Sequence, residues 1–282
     1  MAFIVRSEWY QDKGHAFDLR GCFIYGSAMA ALAFSAAVLQ RAPALGWALA
    51  VAHVLLLGLF AVMELRAQHP LLDIRFVVRN KLFGLSALAA FVNYASTYGM
   101  LLYFSLYLQL VHKMPVMQAG LFLTIQFILQ AVTTPWAGRL SDRFGAETIS
   151  SIGIGMCGIG LVYAAFLGQE SSLWLLVAAQ GMLGLGISFF AIPNTNVLID
   201  SAGPEHLGQA AGLTGAVRTG GGLFNMVIIS TTFGYYMGTQ PVGPETLGLF
   251  LKSMRLDLIL FGVLNLCAIG CALGRFTRKK NA

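Results

Sequence analysis

The stretch Ala119-Gly-Leu-Phe-Leu-Thr-Ile-Gln-Phe-Ile-Leu-Gln-Ala-Val-Thr-Thr-Pro-Trp-Ala-Gly138, followed at once by Arg139-Leu-Ser-Asp-Arg-Phe-Gly145, decides the fold. An uncharged apolar run passes directly into a short block that carries Arg139, Asp142 and Arg143. About 20 apolar residues in a helix cross the roughly 30 Å hydrocarbon layer of a bilayer, and the charges then mark its boundary with water. The pattern repeats outward in both directions, at 21–40, 45–63, 83–111, 119–138, 148–168, 172–199, 207–237 and 258–274. It predicts an all-α, polytopic membrane protein with about eight transmembrane helices. Arg218 is the one Asp, Glu, Lys or Arg inside these stretches.

Composition agrees. Of 282 residues 57% are hydrophobic and only 11% charged, with a mean hydropathy of +0.72. Soluble domains carry about a quarter charged residues, so an ordinary soluble enzyme is excluded. The net charge of +6 would suit nucleic acid only if it formed a basic patch on a soluble fold. Here the basic residues sit between apolar runs, so the partner they imply is the lipid bilayer and no nucleic acid is expected. Cys22, Cys157, Cys267 and Cys271 lie in apolar stretches without paired ligands and read as packing residues. His15, His53, His69, His112 and His206 have no metal-ligand spacing, so neither metal nor cofactor is expected. A GxxxxGK[ST] phosphate loop is absent, which argues against an ATP-driven motor. Gly153-Ile-Gly155-Met-Cys-Gly158 has the dinucleotide-binding spacing, but inside an apolar helix it reads as close helix packing. With no catalytic constellation, the expectation is that the protein is not an enzyme.

Loop charges give an orientation. Arg6, Lys13 and Arg20, then Arg66, Arg75, Arg79 and Lys81, then Arg139 and Arg143, then Arg275, Arg278, Lys279 and Lys280 fall on one face of an eight-helix chain. Arg41, Lys113, Lys252 and Arg255 fall on the other. The positive-inside rule then predicts a multi-pass cell-membrane protein with both termini cytoplasmic. No cleaved signal peptide is read at the start. Along the chain the expected organisation is a cytoplasmic segment at 1–20, a transmembrane hairpin at 21–63, a charged connector at 64–82, a six-helix bundle at 83–274 and a basic tail at 275–282.

Three groups of residues are singled out. In the block at 138–145, Gly138 and Gly145 permit a reversal, Asp142 suits the next helix start, and Arg143 suits a carboxylate or a helix C-terminus. This is either a latch between two helices, formed by Gly138, Arg139, Asp142, Arg143 and Gly145, or a short basic turn. Around Arg218, Thr214 and Asn225 fall near it on the helix, while Gly208, Gly212, Gly215, Thr219 and Gly222 form an adjacent small stripe expected to pack on a neighbour. An intramembrane Arg costs at least about 2.5 kcal/mol, so it is read either as a gating or substrate-anion contact or as bonded to helix-end carbonyls. Finally, Tyr94, Tyr98, Ser105 and Gln109 lie within roughly 60° of one another, and Gln126 and Gln130 share a face with Thr133 and Thr134. Such faces suit a cavity for amphipathic small molecules, or interhelical contacts worth about 0.6 kcal/mol each.

The block Gly138-Arg139-Leu140-Ser141-Asp142-Arg143-Phe144-Gly145 resembles the Gly-x-Leu-Ala-Asp-Arg-x-Gly signature of major facilitator superfamily transporters. The order Ile192-Pro193-Asn194, Pro204-Glu205, Gly208-Gln209-Ala210-Ala211-Gly212-Leu213 and Arg218-Thr219-Gly220-Gly221-Gly222 is similar to the C-terminal half of the family's fourteen-helix drug:proton antiporters. Phe17-Asp18-Leu19-Arg20-Gly21 and Pro70-Leu71-Leu72-Asp73-Ile74-Arg75-Phe76 resemble the approaches to its two linker helices and to its C-terminal bundle. Ala146-Glu147, where the signature is usually basic, and Asn225, where Gly is usual, depart from the pattern. The resemblance implies the linker hairpin plus the C-terminal half of a multidrug exporter, its proton-coupling carboxylates belonging to an N-terminal half. Transport would then require an N-terminal six-helix half, a homo-oligomer or a longer parent chain, of which truncation from a parent is the expectation. A second reading is a non-transporting membrane partner or regulator of other transporters.

Overall fold

In hydrocarbon each backbone N–H and C=O has to be paired inside its own helix or a closed barrel, and all regular structure among the described residues is helical. A computed structural model describes residues 18–68 and 70–273, with side chains through 270. The segment 1–17, His69, the side chain of Cys271 and the basic tail lie outside the described residues. α1 (Leu19–Val38) opens at Asp18, whose carboxylate accepts from the Gly21 N–H at 2.9 Å, and α2 (Pro43–Glu64) has proline at its first position, where no N–H is needed. Asp73 caps the short α3 (Ile74–Arg79) and Asn80 caps α4 (Lys81–Thr97). There follow α5 (Met100–Leu110), α6 (Val116–Phe144), α7 (Ala146–Ala164), α8 (Leu173–Ala202), α9 (Leu207–Met237) and α10 (Leu247–Leu273).

Six helical segments are long and apolar enough to cross a membrane, counting α4 and α5 as one unit over 81–110. α9 and α10, with 31 and 27 residues, also have the reach. α9 carries Arg218 and a run of glycines, and α10 carries Lys252, Arg255 and Asp257.

Three expected boundaries are corrected. The stretch 83–111 is broken at Tyr98–Gly99 into α4 and α5. The block 138–145 is no loop, because α6 continues through it and the chain reverses only at Gly145, whose φ of +90° favours glycine. The last helix begins at Leu247 rather than Leu258. Its start follows a single 3-10 turn, Pro244–Thr246, in which the Thr246 hydroxyl accepts from the Gly243 N–H at 2.9 Å. Phe250, Met254 and Leu258 supply the buried face while Lys252 and Arg255 stay exposed, the Arg255 guanidinium lying 5.5 Å from the Phe166 ring centre. Lys252 and Arg255 therefore belong to a helix and not to the loop in which their charges place them.

Hydrogen bonds sort the chain reversals onto two faces. On one, Asn80 donates to the Ser201 carbonyl at 2.7 Å, Gln209 bonds the Pro70 carbonyl and the Asp73 N–H, and Glu64 accepts from the Leu72 N–H. On the other, Gln40 donates to the Gly238 and Gln240 carbonyls, and the Tyr107 hydroxyl to the Gly168 carbonyl at 2.7 Å. Helix neighbours run in the order α6, α8, α7, α10, α4, α9, with the α1–α2 hairpin on α9 through a bond from the Ser230 hydroxyl to the Ala36 carbonyl.

Glycines set the closest approaches. A Cβ on Gly153 of α7 would stand 2.5 Å from the Phe190 nitrogen of α8, and one on Gly221 of α9 would stand 2.8 Å from the Phe91 carbonyl of α4. The expected packing stripe is corrected here. Gly208, Gly212 and Gly215 face open space, whereas Gly222 packs on the Tyr98 ring. In this part of α9 it is Ala210 and Leu213 that pack toward Phe83 and Ala87 of α4, so the three glycines lie off the contact face. Gly153→Ala and Gly221→Ala should each cost about 1–3 kcal/mol of stability, and Gly208→Ala less than about 0.5. Thermal unfolding of the purified protein in one detergent compares the three.

Candidate functional site

The polar residues inside the bundle come from helices that approach one another closely at glycines. Along α4 and α9 they meet in one cluster. Asn225 is fully buried and donates to the Ala95 carbonyl at 2.6 Å, so an amide side chain ties α9 to the α4 backbone where glycine would leave that carbonyl to its helix alone. Tyr98 lies against Gly222 and is half exposed. Tyr94 meets Phe190 of α8 edge to face at 6.1 Å, and the charge of Arg218 acts on its hydroxyl.

Arg218 itself is exposed, with no hydrogen bond or ion pair among the described residues. The bond to helix-end carbonyls expected of a structural arginine is not made. Thr214 does not join it, because its hydroxyl donates to the Ala210 carbonyl of its own helix at 2.8 Å. Asn225, two turns away, points into the α4 contact instead. What the structure assembles is an aromatic pair, Tyr94 and Tyr98, beside a cation with free donors.

The helix expected to carry Tyr94, Tyr98, Ser105 and Gln109 on one face is interrupted at Tyr98–Gly99, and beyond it Gln109 turns back on Ser105, donating to its carbonyl at 3.1 Å and its hydroxyl at 3.0 Å. A second cluster forms between α6 and α8. Thr133 and Ser188 hydroxyls pair at 2.8 Å, and Gln126 is buried with its Oε1 unpaired among the described residues. Gln130 is half-buried one turn from it. Gln180 of α8 is fully buried with both amide atoms unpaired among the described residues.

In the block at 138–145, Arg139, Asp142 and Arg143 are all exposed. Arg143 stacks on Phe144, 5.2 Å from its ring centre, and no side chain caps the start of α7. Asp142 therefore does not take the capping role expected of it, since α6 carries it round to the open side before Gly145 turns the chain. Within this chain the three charges make no hydrogen bond or ion pair among the described residues, and Gly138 faces open space.

Buried polar groups on α10 escape the sequence reading. Asn265 pairs with Asn93 of α4 at 3.4 Å, and Asp257 is fully buried. Starting the last span at Leu258 left Asp257 in a loop. The apolar run Leu247–Met254 ahead of it is the signal that places it in a helix. If the polar contacts act as described, Asn225→Ala lowers stability by about 0.6–1.7 kcal/mol, while Arg218→Ala leaves it nearly unchanged. Unfolding of both variants in the same detergent measures the difference.

A family model described as Major Facilitator Superfamily matches residues 7–226 and 86–280. The Multidrug resistance protein Stp of Mycobacterium tuberculosis is 26% identical over 232 residues, covering 80% of this chain and 42% of that protein. The Tetracenomycin C resistance and export protein of Streptomyces glaucescens is 28% identical over 220 residues, covering 76% and 40%. The chain thus spans less than half the length of these relatives. Among solved structures, the nucleoside transporter NupG superposes with a TM-score of 0.59 at 15% identity, over 90% of this chain and 66% of that one, a likeness of fold alone.

Proposed function

Because the chain belongs to the Major Facilitator Superfamily, we propose that it is the linker hairpin and C-terminal six-helix bundle of an exporter of drug-like, amphipathic small molecules, working by proton antiport together with an N-terminal six-helix half. The observation that carries this reading is the alignment with two resistance proteins, one of them an exporter by name, over most of this chain and less than half of theirs. Transporters of repeated bundles bind cargo at the bundle interface near the midplane and expose it alternately to each side by rocking. A single bundle supplies one wall of such a site. Here that wall is the α4–α9 surface, where Tyr94 and Tyr98 stack on flat apolar cargo while the free donors of Arg218 take an acceptor or anionic group on it.

The exposed charges at 138–145 fit the same division of labour. Arg139, Asp142 and Arg143 make no hydrogen bond or ion pair among the described residues and stand ready to bond a facing bundle in one state of the cycle. The basic connector, together with Arg139 and Arg143, favours the cytoplasm for the face that carries both termini. The alternative, a bundle that binds and regulates intact transporters, uses the same open face without moving cargo.

Co-expression with the N-terminal half of a matching relative tests the proposal. The expected result is efflux of a fluorescent amphipathic cation that collapses with the proton gradient and falls at least tenfold with Asp142→Asn or Arg218→Ala at equal membrane abundance. Efflux unaffected by both substitutions removes these residues from the mechanism. Stable association of the halves without efflux favours the regulatory reading.

A further inference from the structure

Asp257 is fully buried on α10, with side chains of two other helices turned toward it. The Tyr103 hydroxyl of α5 donates to its Oδ2, and the Thr232 hydroxyl of α9 donates to the same oxygen at 2.7 Å. Ser253, one turn earlier on α10 and also fully buried, lies 3.4 Å from the Tyr103 hydroxyl. Oδ1 has no partner among the described residues. Nor does any cation bond the carboxyl there: Lys252 and Arg255 project from exposed positions on α10, and His112 packs on Tyr107, one turn further along α5. A carboxylate in such a place is paired or gives up its charge, since an isolated ion costs far more in low dielectric than the neutral acid.

The hydroxyl geometry accommodates both forms. Thr232 lies 2.9 Å from the Ile229 carbonyl of its own helix as well as 2.7 Å from Asp257. With the acid ionised, Oδ2 accepts from Tyr103 and Thr232. With a proton on Oδ2, the acid donates to the Thr232 oxygen, and Thr232 turns its hydrogen to the Ile229 carbonyl. No heavy atom has to move between the two. A purely structural link needs one donor set, while an acid that gains and loses a proton needs two.

Position supplies a direction. Thr232 lies five residues before the end of α9, Tyr103 seven before the end of α5, and Asp257 ten after the start of α10. All three stand toward the face opposite the connector. Phe233 and Phe250 pack on the Tyr103 ring with ring centres 5.8 and 6.1 Å away, while Thr232, on the other side of the carboxyl's hydrogen bonds, is only half-buried. We propose that Asp257 is a proton-binding site of this bundle, filled from the face opposite the connector by way of Thr232, with Tyr103 holding the carboxyl in place. On binding, an O–H bond of a hydronium ion breaks, leaving water, as one forms at the carboxylate, and release to water reverses both. The inference extends the proton-driven reading above, and needs it only for what the proton drives.

Infrared difference spectra of the full chain in lipid nanodiscs, taken across the neutral pH range in light and heavy water, read this directly. The expected signature is the C=O band of one neutral carboxylic acid that shifts in heavy water. It disappears in Asp257→Asn, survives in Asp200→Asn on the exposed end of α8, and changes frequency in Thr232→Val. A pH-dependent band that persists in Asp257→Asn, or none in the wild type, overturns the proposal. Should Asp257→Asn fail to reach the membrane, Thr232→Val and Tyr103→Phe decide: an unmoved band in both contradicts the site. Transport is not measured, so an absent band leaves the export reading standing and absent efflux leaves the proton site standing.

Discussion

The contact between Gly153 and Gly186 is where the bundle is most constrained. A Cβ on Gly153 would come within 2.7 Å of the Gly186 carbonyl, and a Cβ on Gly186 within 2.8 Å of the Cys157 nitrogen, so α7 and α8 touch backbone to backbone. Lipid offers no hydrophobic drive for helices to associate, leaving dispersion at close range and a few interhelical hydrogen bonds to hold them. Gly158 and Gly262 repeat the device between α7 and α10, as Gly221 does between α9 and α4. Asn225 meets the Ala95 carbonyl beside the Gly221 contact of α9 with α4, and Asn93 with Asn265 and Tyr103 with Asp257 add polar links from α4 and α5 to α10.

Most of the helices were legible from hydropathy, since uncharged runs of membrane length leave few alternatives. The helical, close-packed reading of Gly153-Ile-Gly155-Met-Cys-Gly158 also held, with Gly153 and Gly158 at close contacts and Gly155 at an ordinary one. Two misplaced boundaries, at 138–145 and before Leu258, share a cause, the reading of charge as a marker of water. Lys252 and Arg255 put the start of the last helix eleven residues late, although long basic side chains lie along a helix and reach outward. That shift hid Asp257. The interruption at Tyr98–Gly99 is of another kind, since no charge or proline marks it in the sequence.

The candidate site was legible by residue type and not by partner. Tyr94, Tyr98 and Arg218 do gather on one surface, but Gly208, Gly212, Gly215, Arg139, Asp142 and Arg143 face outward from this chain. Periodicity places residues on one side of a helix without saying which neighbour, if any, lies there. The exposed side of α6 and the first part of α9 hold most of these residues. α6 carries the signature block, and the first part of α9 leads into the surface it shares with Tyr94 and Tyr98 of α4.

α9 and α10 have the length to cross the membrane beside the six more apolar segments, which would put the turns before α9 and before α10 on opposite sides. Cysteines placed one at a time at Gly203, before α9, and at Gly243, before α10, in a variant with Cys22, Cys157, Cys267 and Cys271 replaced by Ala, test it through a membrane-impermeant thiol reagent applied to intact cells. Labelling at 243 with protection at 203 until the membrane is opened is the result expected. Equal labelling of both positions from one side would mean that α9 does not cross, and would contradict the account.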